Sequence, residues 1–282
     1  MELWFTEKQT DHVGITCKVK GTLMRKQSPY QEVAVIDTEG FGRMLLLDGV
    51  IQTTIADEFT YHEMIAHVPM NTHPNPRRVA VVGGGDGGTI REVIKHDSVE
   101  KAALVEIDEL VIQASRQYLP GIACGLDDER VDILITDGIA HIKESKNTYD
   151  VIIIDSTDPV GPAVGLFTSE FYGHVYEALT DDGVMVAQTE SPFYEPQLVK
   201  RTFANVSRNF PLTKLYLAHI PAYPSGMWSF TIGTKGHDPL AIDGRRLQPL
   251  NTRYYTPDVH KAAFSLPAFV HQILSEAGCH GS

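Results

Sequence analysis

The chain has 282 residues, of which 43% are hydrophobic and 21% are charged. This composition is typical of a folded globular protein and is too apolar for intrinsic disorder. Lysine and arginine number 24 against 36 aspartate and glutamate residues, which gives a formal net charge of −12. The acidic balance disfavours a nucleic-acid partner and suits a cationic ligand.

Cysteine spacing and the absence of long apolar runs narrow the class further. Cys17, Cys124 and Cys279 lie far apart and form no C-x-x-C pair, which argues against a disulfide framework, a structural zinc site or a redox motif. No apolar run approaches the roughly 18 residues that cross a bilayer, and the polar start of the chain differs from a signal peptide. We therefore expect a cytoplasmic protein with no membrane partner.

Residues 1–56 are predicted to form a small antiparallel β domain of five or six strands. Short branched or apolar segments alternate there with turn residues; they include ITCKV (15–19), EVAVID (32–37) and RMLLLDG (43–49). From Asp57 to about Val68 the hydrophobic spacing changes to that of a helix, and we expect Pro69 to end it.

Residues 57–236 are predicted to form a Rossmann-like catalytic domain. Apolar strands alternate with helices, a pattern that predicts an α/β fold of the methyltransferase type with a doubly wound parallel sheet. A turn at 223–226 predicts a C-terminal antiparallel hairpin. Residues 237–282 are expected to be a tail with one short helix, near 267–276. The expected parallel strands are Val79–Val82, Ala102–Val105, Val131–Ile135, Val151–Ile154 and Val184–Ala187.

The first predicted parallel strand runs directly into a glycine loop. Five of the six positions 83–88 are glycine, namely Gly83, Gly84, Gly85, Gly87 and Gly88. Glycines allow the backbone to approach a ligand closely at the start of a helix. The loop therefore predicts a cofactor or co-substrate site, and by itself it leaves nicotinamide and adenosyl-sulfonium ligands equally open.

Acidic residues follow the next two strands. Glu106 lies 23 positions after Gly83, where an acidic side chain accepts hydrogen bonds from both ribose hydroxyls of an adenosine. Asp137 and Gly138 end the third strand, and they place a carboxylate near an adenine amino group and a glycine beside its ring. Asp108 is assigned to capping the following helix. Together these residues predict an adenosine site.

The fourth strand ends in two carboxylates, Asp155 and Asp158. No group of histidines or cysteines accompanies them, so we expect no transition-metal site. Paired carboxylates in a cleft are suited to binding ammonium groups and to accepting a proton from one of them. The pair therefore predicts a site for an ammonium group beside the adenosine site, although carboxylates alone leave a magnesium site possible.

Asp86, inside the glycine loop, indicates which adenosyl ligand is bound. S-adenosylmethionine carries an α-carboxylate, and a second carboxylate about 4 Å away would weaken binding by around 4 kcal/mol at an effective dielectric near 20, roughly a thousandfold. A nicotinamide pyrophosphate would be repelled as well. We therefore expect a decarboxylated adenosyl sulfonium as co-substrate and no separate cofactor.

Several motifs, in order along the chain, resemble those of the spermidine synthase family of aminopropyltransferases. They are LDGVIQ (47–52), DEFTYHEM (57–64), HPNPRRVAVVGGGDGG (73–88), EID (106–108), TDG (136–138), DSTDPVGPA (155–163) and IPAYPSG (220–226). The resemblance implies transfer of an aminopropyl group from decarboxylated S-adenosylmethionine to putrescine, which releases spermidine and methylthioadenosine. It also implies a homodimer or homotetramer.

The resemblance assigns roles to individual positions. It implies that the donor's methylthioadenosine part contacts Gln31, Glu106, Asp137, Gly138 and Pro162, and that Asp86 holds the aminopropyl amine. It implies that Asp155 accepts the proton, and that the polyamine site is lined by Tyr61, His62, Asp158 and Tyr223. Position 62 varies in the family between His and Gln, so its expected role is hydrogen bonding.

Three other functions compete with this prediction. An amine methyltransferase that uses ordinary S-adenosylmethionine is disfavoured by Asp86. A non-catalytic polyamine or nucleoside sensor would need no base such as Asp155. A nicotinamide oxidoreductase lacks the G-x-G-x-x-G spacing. The acceptor also stays open, because one methylene in such a pocket changes binding by only about 1–3 kcal/mol.

Overall fold

The structure is a computed structural model and describes residues 2–157, 161–242 and 250–276. Its first part is a five-stranded antiparallel sheet in the order β1-β2-β3-β4-β5, as the sequence predicts. A two-residue turn at Asp48 and Gly49, both with positive φ, joins the last two strands, as the tight hairpin geometry requires. The strands are β1 (Leu3–Lys8), β2 (Gly14–Gln27), β3 (Glu32–Thr38), β4 (Gly42–Leu47) and β5 (Val50–Thr54).

The second part is a seven-stranded sheet in the order β11-β12-β10-β9-β6-β7-β8. Strands β10, β9, β6, β7 and β8 are parallel, and β12 pairs antiparallel with both β10 and β11. The predicted Rossmann-like sheet with its antiparallel hairpin is therefore confirmed. The strands are β6 (Arg78–Gly83), β7 (Lys101–Glu106), β8 (Val131–Ile135), β9 (Tyr149–Asp155), β10 (Leu179–Gln188), β11 (Leu212–His219) and β12 (Met227–Thr234).

Eight α-helices connect or flank these strands within the described residues. They are α1 (Glu58–Thr72), α2 (Gly88–Val93), α3 (Glu109–Tyr118), α4 (Gly138–Glu144), α5 (Ser169–Ala178), α6 (Pro196–Ser207), α7 (Pro257–Ala263) and α8 (Ala268–Ser275). Asp108 caps α3 as predicted, because its side chain accepts a hydrogen bond from the backbone N–H of Leu110 at 3.1 Å. The predicted C-terminal helix is α8, whereas α7 was not predicted.

The prediction that Pro69 ends the first helix is wrong. Helix α1 includes Pro69 and continues to Thr72. A proline inside a helix removes one backbone hydrogen bond, but α1 is buried along nearly its whole length. Burial of the residues that follow Pro69, among them Met70 at 1% exposure, offsets that loss.

The strand order of the large sheet reverses between β6 and β9. Gly83, the last residue of β6, is paired with Asp155, the last residue of β9. The apolar residues of these two strands are at most 2% exposed, because helices cover both faces of the sheet. Ligands of such sheets bind at the carboxyl ends of the strands where the order reverses, which is where the predicted site residues lie.

None of the helices within the described residues is long and apolar enough to span a membrane.

Glu63 ties the C-terminal tail to helix α1. The side chain is 2% exposed, and its carboxylate accepts hydrogen bonds from the backbone N–H groups of Arg253, Tyr254 and Tyr255 at 2.7–2.8 Å. A buried carboxylate with three donors fixes the chain segment that supplies them.

We expect Glu63→Ala to release this segment. The three backbone N–H groups lose their acceptor, and hydrogen bonds to a charged group contribute about 1.5–3 kcal/mol each. Amide hydrogen exchange should therefore accelerate in residues 250–263 before it changes elsewhere. As a control, Glu170→Ala on the solvent-exposed side of α5 should change stability by less than about 0.5 kcal/mol. Unaltered exchange in 250–263 would contradict the assigned role of Glu63.

Candidate active site

A cavity of about 300 Å³ opens at the carboxyl ends of β6, β7 and β9. The ends of these strands form one wall, and residues of the N-terminal sheet, including Leu45, Leu47, Ile51 and Gln52, form the opposite wall. Both sheets therefore enclose the cavity, which lies where the strand order of the large sheet reverses.

The glycine loop is packed directly against carboxylate side chains. Gly83 has a φ of +81°, and a Cβ atom there would lie 2.3 Å from the carbonyl oxygen of Asp155. A Cβ on Gly84 would lie 2.6 Å from Asp155 Oδ2, and one on Gly85 would lie 2.8 Å from Glu106 Oε2. No larger residue fits at Gly83 without moving the backbone. The loop thus brings its backbone up to the acidic wall of the cavity.

Asp155 lies at the centre of the cavity with both carboxylate oxygens hydrogen bonded. Tyr61 donates its hydroxyl to Oδ1 at 2.6 Å, and Thr89 donates its hydroxyl to Oδ2 at 2.6 Å. Burial, followed by the charge of Asp86, raises the pKa of the Asp155 carboxyl above its usual value, and the two hydroxyl donors oppose this rise. A carboxylate with a raised pKa is a better proton acceptor.

Asp86 is held in a fixed orientation at the start of helix α2. Its Oδ1 accepts the backbone N–H of Gly88 at 2.8 Å, and its Oδ2 lies 3.2 Å from Nε2 of His62. The other ring nitrogen of His62, Nδ1, lies 2.6 Å from Glu58 Oε2. His62 is only 2% exposed. Each of its nitrogens faces a protein carboxylate, and the residue lines the cavity beside Asp86.

Glu106 lies at the other end of the cavity, beneath the glycine loop. Its Oε1 accepts the backbone N–H of Asp108 at 2.9 Å. Burial raises the pKa of Glu106 to about 7, against the opposing effect of the backbone N–H groups that point at it. The carboxyl group therefore changes its protonation state near neutral pH in the unliganded protein.

The remaining predicted donor-side residues surround Glu106. Gln31 donates its side-chain amide to Asp108 Oδ2 at 3.1 Å, so the helix cap of α3 also fixes a residue of the N-terminal sheet. Asp137 caps α4 through the N–H of Ile139 at 2.8 Å. A Cβ on Gly138 would lie 2.4 Å from Val82 Cγ1. Gln31, Asp137 and Gly138 line the cavity, whereas Asp108 does not.

Aromatic rings close the cavity on the Asp155 side. Tyr223 packs edge-on against Tyr61, with ring centroids 5.9 Å apart, and against Trp228 at 4.5 Å. The Tyr223 hydroxyl donates to the backbone carbonyl of Gln52 at 2.7 Å. This contact links the C-terminal hairpin to the N-terminal sheet, and an aliphatic chain packed against the rings would be shielded from water.

The charges that line the cavity are almost all negative. Its described lining contains no lysine or arginine, and His62 is its one basic side chain. The acidic side chains are Glu7, Asp48, Asp86, Glu106, Asp137 and Asp155. An enclosed site with one sign of charge attracts ligands of the opposite sign. The cavity is therefore suited to a molecule that carries several positive charges.

The structure brings most of the predicted site residues together around this cavity. Asp158 lies outside the described residues. Pro162 lies in a 3-10 turn, Gly161–Phe167, but its side chain is not among those described. The other predicted residues line the cavity, except for Gly87, which has a φ of +85° and caps helix α2.

Sequence reasoning missed several residues of the site. Thr89, which donates to Asp155, follows the glycine loop directly, so its position in the first turn of the helix after that loop could have indicated it. Glu7, Gln52 and Trp228 lie on other elements and show no local signal. They reach the cavity only through the packing of the N-terminal sheet and the hairpin against the large sheet.

One group of metal-ligating side chains within the described residues has its ligand atoms close together. His73, Asp182 and His237 have such atoms within 4.8 Å of one another, at the opposite edge of the large sheet from the cavity. Nδ1 of His73 accepts the N–H of Asn75 at 3.2 Å, and burial lowers the pKa of His73. Its ring proton therefore lies on Nε2, which faces Asp182 at 3.4 Å. A protonated nitrogen is a donor and not a metal ligand.

Comparison with known proteins yields two family models. Residues 58–241 match the spermine/spermidine synthase domain, and residues 3–54 match the spermidine synthase tetramerisation domain. Among curated relatives, the polyamine aminopropyltransferase of Caldicellulosiruptor bescii is 60% identical, over 97% of this chain and 99% of its own. That of Moorella thermoacetica is 58% identical, over 96% of each chain.

Solved structures of spermidine synthases are also similar to this chain. A crystal structure of spermidine synthase in complex with the transition state analogue AdoDATO is 47% identical, with a TM-score of 0.95 over 97% of this chain and 95% of that one. Spermidine synthase from Thermotoga maritima is also 47% identical, with a TM-score of 0.93 over 97% and 94%.

Proposed function

This chain belongs to the spermidine synthase family of polyamine aminopropyltransferases, and from that premise we propose its donor, its acceptor and the roles of its residues. The chain is a transferase. It moves the aminopropyl group of decarboxylated S-adenosylmethionine to putrescine and releases spermidine and methylthioadenosine. The observation that carries the proposal is the pair of carboxylates, the buried Asp86 and the half-buried Asp155, in a cavity whose described lining holds no lysine or arginine.

The donor's adenosine part occupies the end of the cavity near Glu106. There Glu106 accepts hydrogen bonds from the ribose hydroxyls, and Gln31 lies beside it. Asp137 faces the adenine amino group, with Gly138 and Pro162 against the ring. The close approach of Gly85 to Glu106 supports this placement, because it leaves room for a sugar only on the cavity side of the carboxylate.

The aminopropyl arm of the donor extends past the glycine loop to Asp86. That carboxylate binds the terminal ammonium group, and it would repel the α-carboxylate of ordinary S-adenosylmethionine. The orientation of Asp86, fixed by the Gly88 N–H and by His62, supports this role, since a fixed carboxylate discriminates more strongly than a mobile one.

The acceptor amine lies between Asp155 and the aromatic rings of Tyr61 and Tyr223. A free alkyl amine is only about one part in 2,500 unprotonated at pH 7, so the site must remove a proton. The neutral amine nitrogen attacks the methylene carbon bonded to sulfur, the carbon–sulfur bond breaks, and its electron pair leaves with the sulfur as a thioether. Asp155 accepts the amine proton, and its raised pKa supports this role. We propose that Asp158 also binds the diamine.

No separate cofactor is part of the proposed reaction. The sulfonium already provides the leaving group, so the protein supplies alignment, charge and a proton acceptor. His62, the remaining predicted polyamine-site residue, acts through Asp86, because both of its nitrogens face protein carboxylates.

The protein assembles as a homo-oligomer through its N-terminal sheet. The match of residues 3–54 to a tetramerisation domain supports a homotetramer, or the homodimer from which one is built. Large apolar side chains exposed on this sheet support it as well, among them Leu3 at 53% and Trp4 at 56%, since assembly would remove them from water.

The proposed reaction is tested by incubating the protein with each donor and a panel of diamines. With decarboxylated S-adenosylmethionine and putrescine we expect spermidine and methylthioadenosine in equal amounts by chromatography. Ordinary S-adenosylmethionine should bind roughly a thousandfold more weakly in calorimetry because of the repulsion by Asp86, and Asp86→Asn should narrow that ratio. A methylated amine as product, or equal affinity for the two donors, would overturn the proposal.

Replacing Asp155 tests its role as proton acceptor. We expect Asp155→Asn to lower kcat by about 10²–10⁴-fold, the usual contribution of a general base. Its affinity for methylthioadenosine should change little. Asp132→Asn, on the exposed part of β8, is the matched control and should retain wild-type turnover. If the kcat of Asp155→Asn stayed within threefold of wild type across pH 7–9, the assignment of Asp155 would be wrong.

The pKa of Glu106 gives the binding of methylthioadenosine a pH dependence. Ribose hydroxyls donate to the ionised carboxylate, and a pKa of about 7 means that this form predominates only above neutral pH. Calorimetry should therefore show an affinity about tenfold higher at pH 8 than at pH 6, and Glu106→Gln should bind weakly without this slope. A wild-type affinity that is independent of pH would show that Glu106 does not bind the ribose in its ionised form.

A further inference from the structure

The environment of His62 determines its charge. Nδ1 lies 2.6 Å from Glu58 Oε2 and Nε2 lies 3.2 Å from Asp86 Oδ2. A neutral imidazole has one N–H and can donate to only one of these carboxylates, whereas the imidazolium donates to both. The geometry therefore matches the cation. Close packing against the backbone also fixes the imidazole ring, because a Cβ on Gly88 would lie 2.2 Å from the Cε1 atom of His62.

A second ion pair holds Glu58 in place outside the cavity. Arg91 donates to both oxygens of Glu58, from Nη1 at 3.0 Å and from Nη2 at 2.7 Å. Its Nε donates to Glu92 at 2.8 Å. Neither Glu58 nor Arg91 is among the residues that line the cavity. They act on the cavity only through His62.

Within the part of the chain that the structure describes, the other charged or titratable groups that face His62 belong to three elements. Asp57 and Tyr61 lie on or next to α1, Asp86 lies in the glycine loop, and Asp155 ends β9. Three of these are carboxyl groups, and Tyr61 is a neutral donor that binds Asp155. The His62 cation therefore supplies a positive charge that offsets the negative charges of both Asp86 and Asp155.

We propose that Glu58, anchored by Arg91, is a positioning residue that keeps His62 protonated, and that the His62 cation lets Asp86 and Asp155 remain ionised side by side. This inference rests on the proposed function for its catalytic consequence. Two buried carboxylates close together tend to share one proton. A proton on either would weaken cation binding by Asp86 or occupy Asp155, the proton acceptor. Arg91 and Glu58 thereby set the lowest pH at which the site works.

The variant Glu58→Gln removes the charge and keeps an oxygen acceptor for His62 and Arg91. His62 should then lose its proton at lower pH, and the pKa of Asp155, which the His62 charge lowers, should rise. We expect the acid limb of the kcat/KM profile to move up by about one pH unit, roughly a tenfold loss of activity on that limb. Glu92→Gln, which removes the other carboxylate bonded to Arg91, is the matched control and should leave the limb in place.

The variant His62→Gln separates this role from a structural one. In a His62→Gln background no imidazolium exists, so Glu58→Gln should cause no further shift of the acid limb. If Glu58→Gln moved the limb equally in both backgrounds, or if Glu92→Gln moved it as far, Glu58 would act through structure and the inference would be overturned.

The charge of His62 is measured independently of activity by NMR of protein labelled with ¹⁵N-histidine. The signals missing from His62→Gln identify the residue. In unliganded wild type both ring nitrogens should be protonated at pH 7.5, and in Glu58→Gln only one should be. A neutral His62 in the wild-type protein would overturn the inference. Because the spectrum needs no substrate, it decides the charge state even if the proposed transfer reaction fails.

Discussion

Repulsion between two neighbouring carboxylates is the constraint around which this structure is arranged. Asp86 and Asp155 lie together in one cavity, where burial and the charge of Asp86 raise the pKa of the Asp155 carboxyl. Hydrogen-bond donors therefore surround them, namely the hydroxyls of Tyr61 and Thr89 and the N–H of Gly88. The His62 ring adds the one basic group in the described lining. A dicationic ligand between the carboxylates would complete this compensation.

The scaffold fixes the two carboxylates on different elements. Asp155 ends a parallel strand, whereas Asp86 lies in the loop that follows the neighbouring strand. Gly83 and Gly84 allow the loop to approach Asp155 closely, since any side chain there would strike it. The distance between the charges is thus set by backbone packing at the centre of the sheet, where movement is most restricted.

The N-terminal sheet takes part in the site as well as matching a tetramerisation domain. It supplies one wall of the cavity, and its Gln52 carbonyl accepts the hydroxyl of Tyr223 from the C-terminal hairpin. Gln31, just before β3, donates to Asp108, the N-cap residue of α3. One small sheet therefore both forms a wall of the cavity and matches a tetramerisation domain.

Much of the fold and part of the site follow from local sequence. Apolar strands in alternation with helices predict the parallel sheet, and residues that directly follow such strands must gather at one edge. For this reason Asp155, Asp86 and Glu106 are predictable by position alone. Pro69 shows the limit of local rules, since a buried helix continues through a residue that usually ends one.

Tertiary structure decided what the sequence alone could not. Considered in isolation, His62 resembles a histidine on the surface of a helix. Its spacing along α1 brings it to Glu58, but only the packing of α1 against the glycine loop brings it to Asp86. The sequence determined which residues lie at the strand ends, because the apolar pattern that forms each strand is local. The ionisation of those residues depends on partners distant along the chain, since electrostatic energy follows distance in space and burial from water.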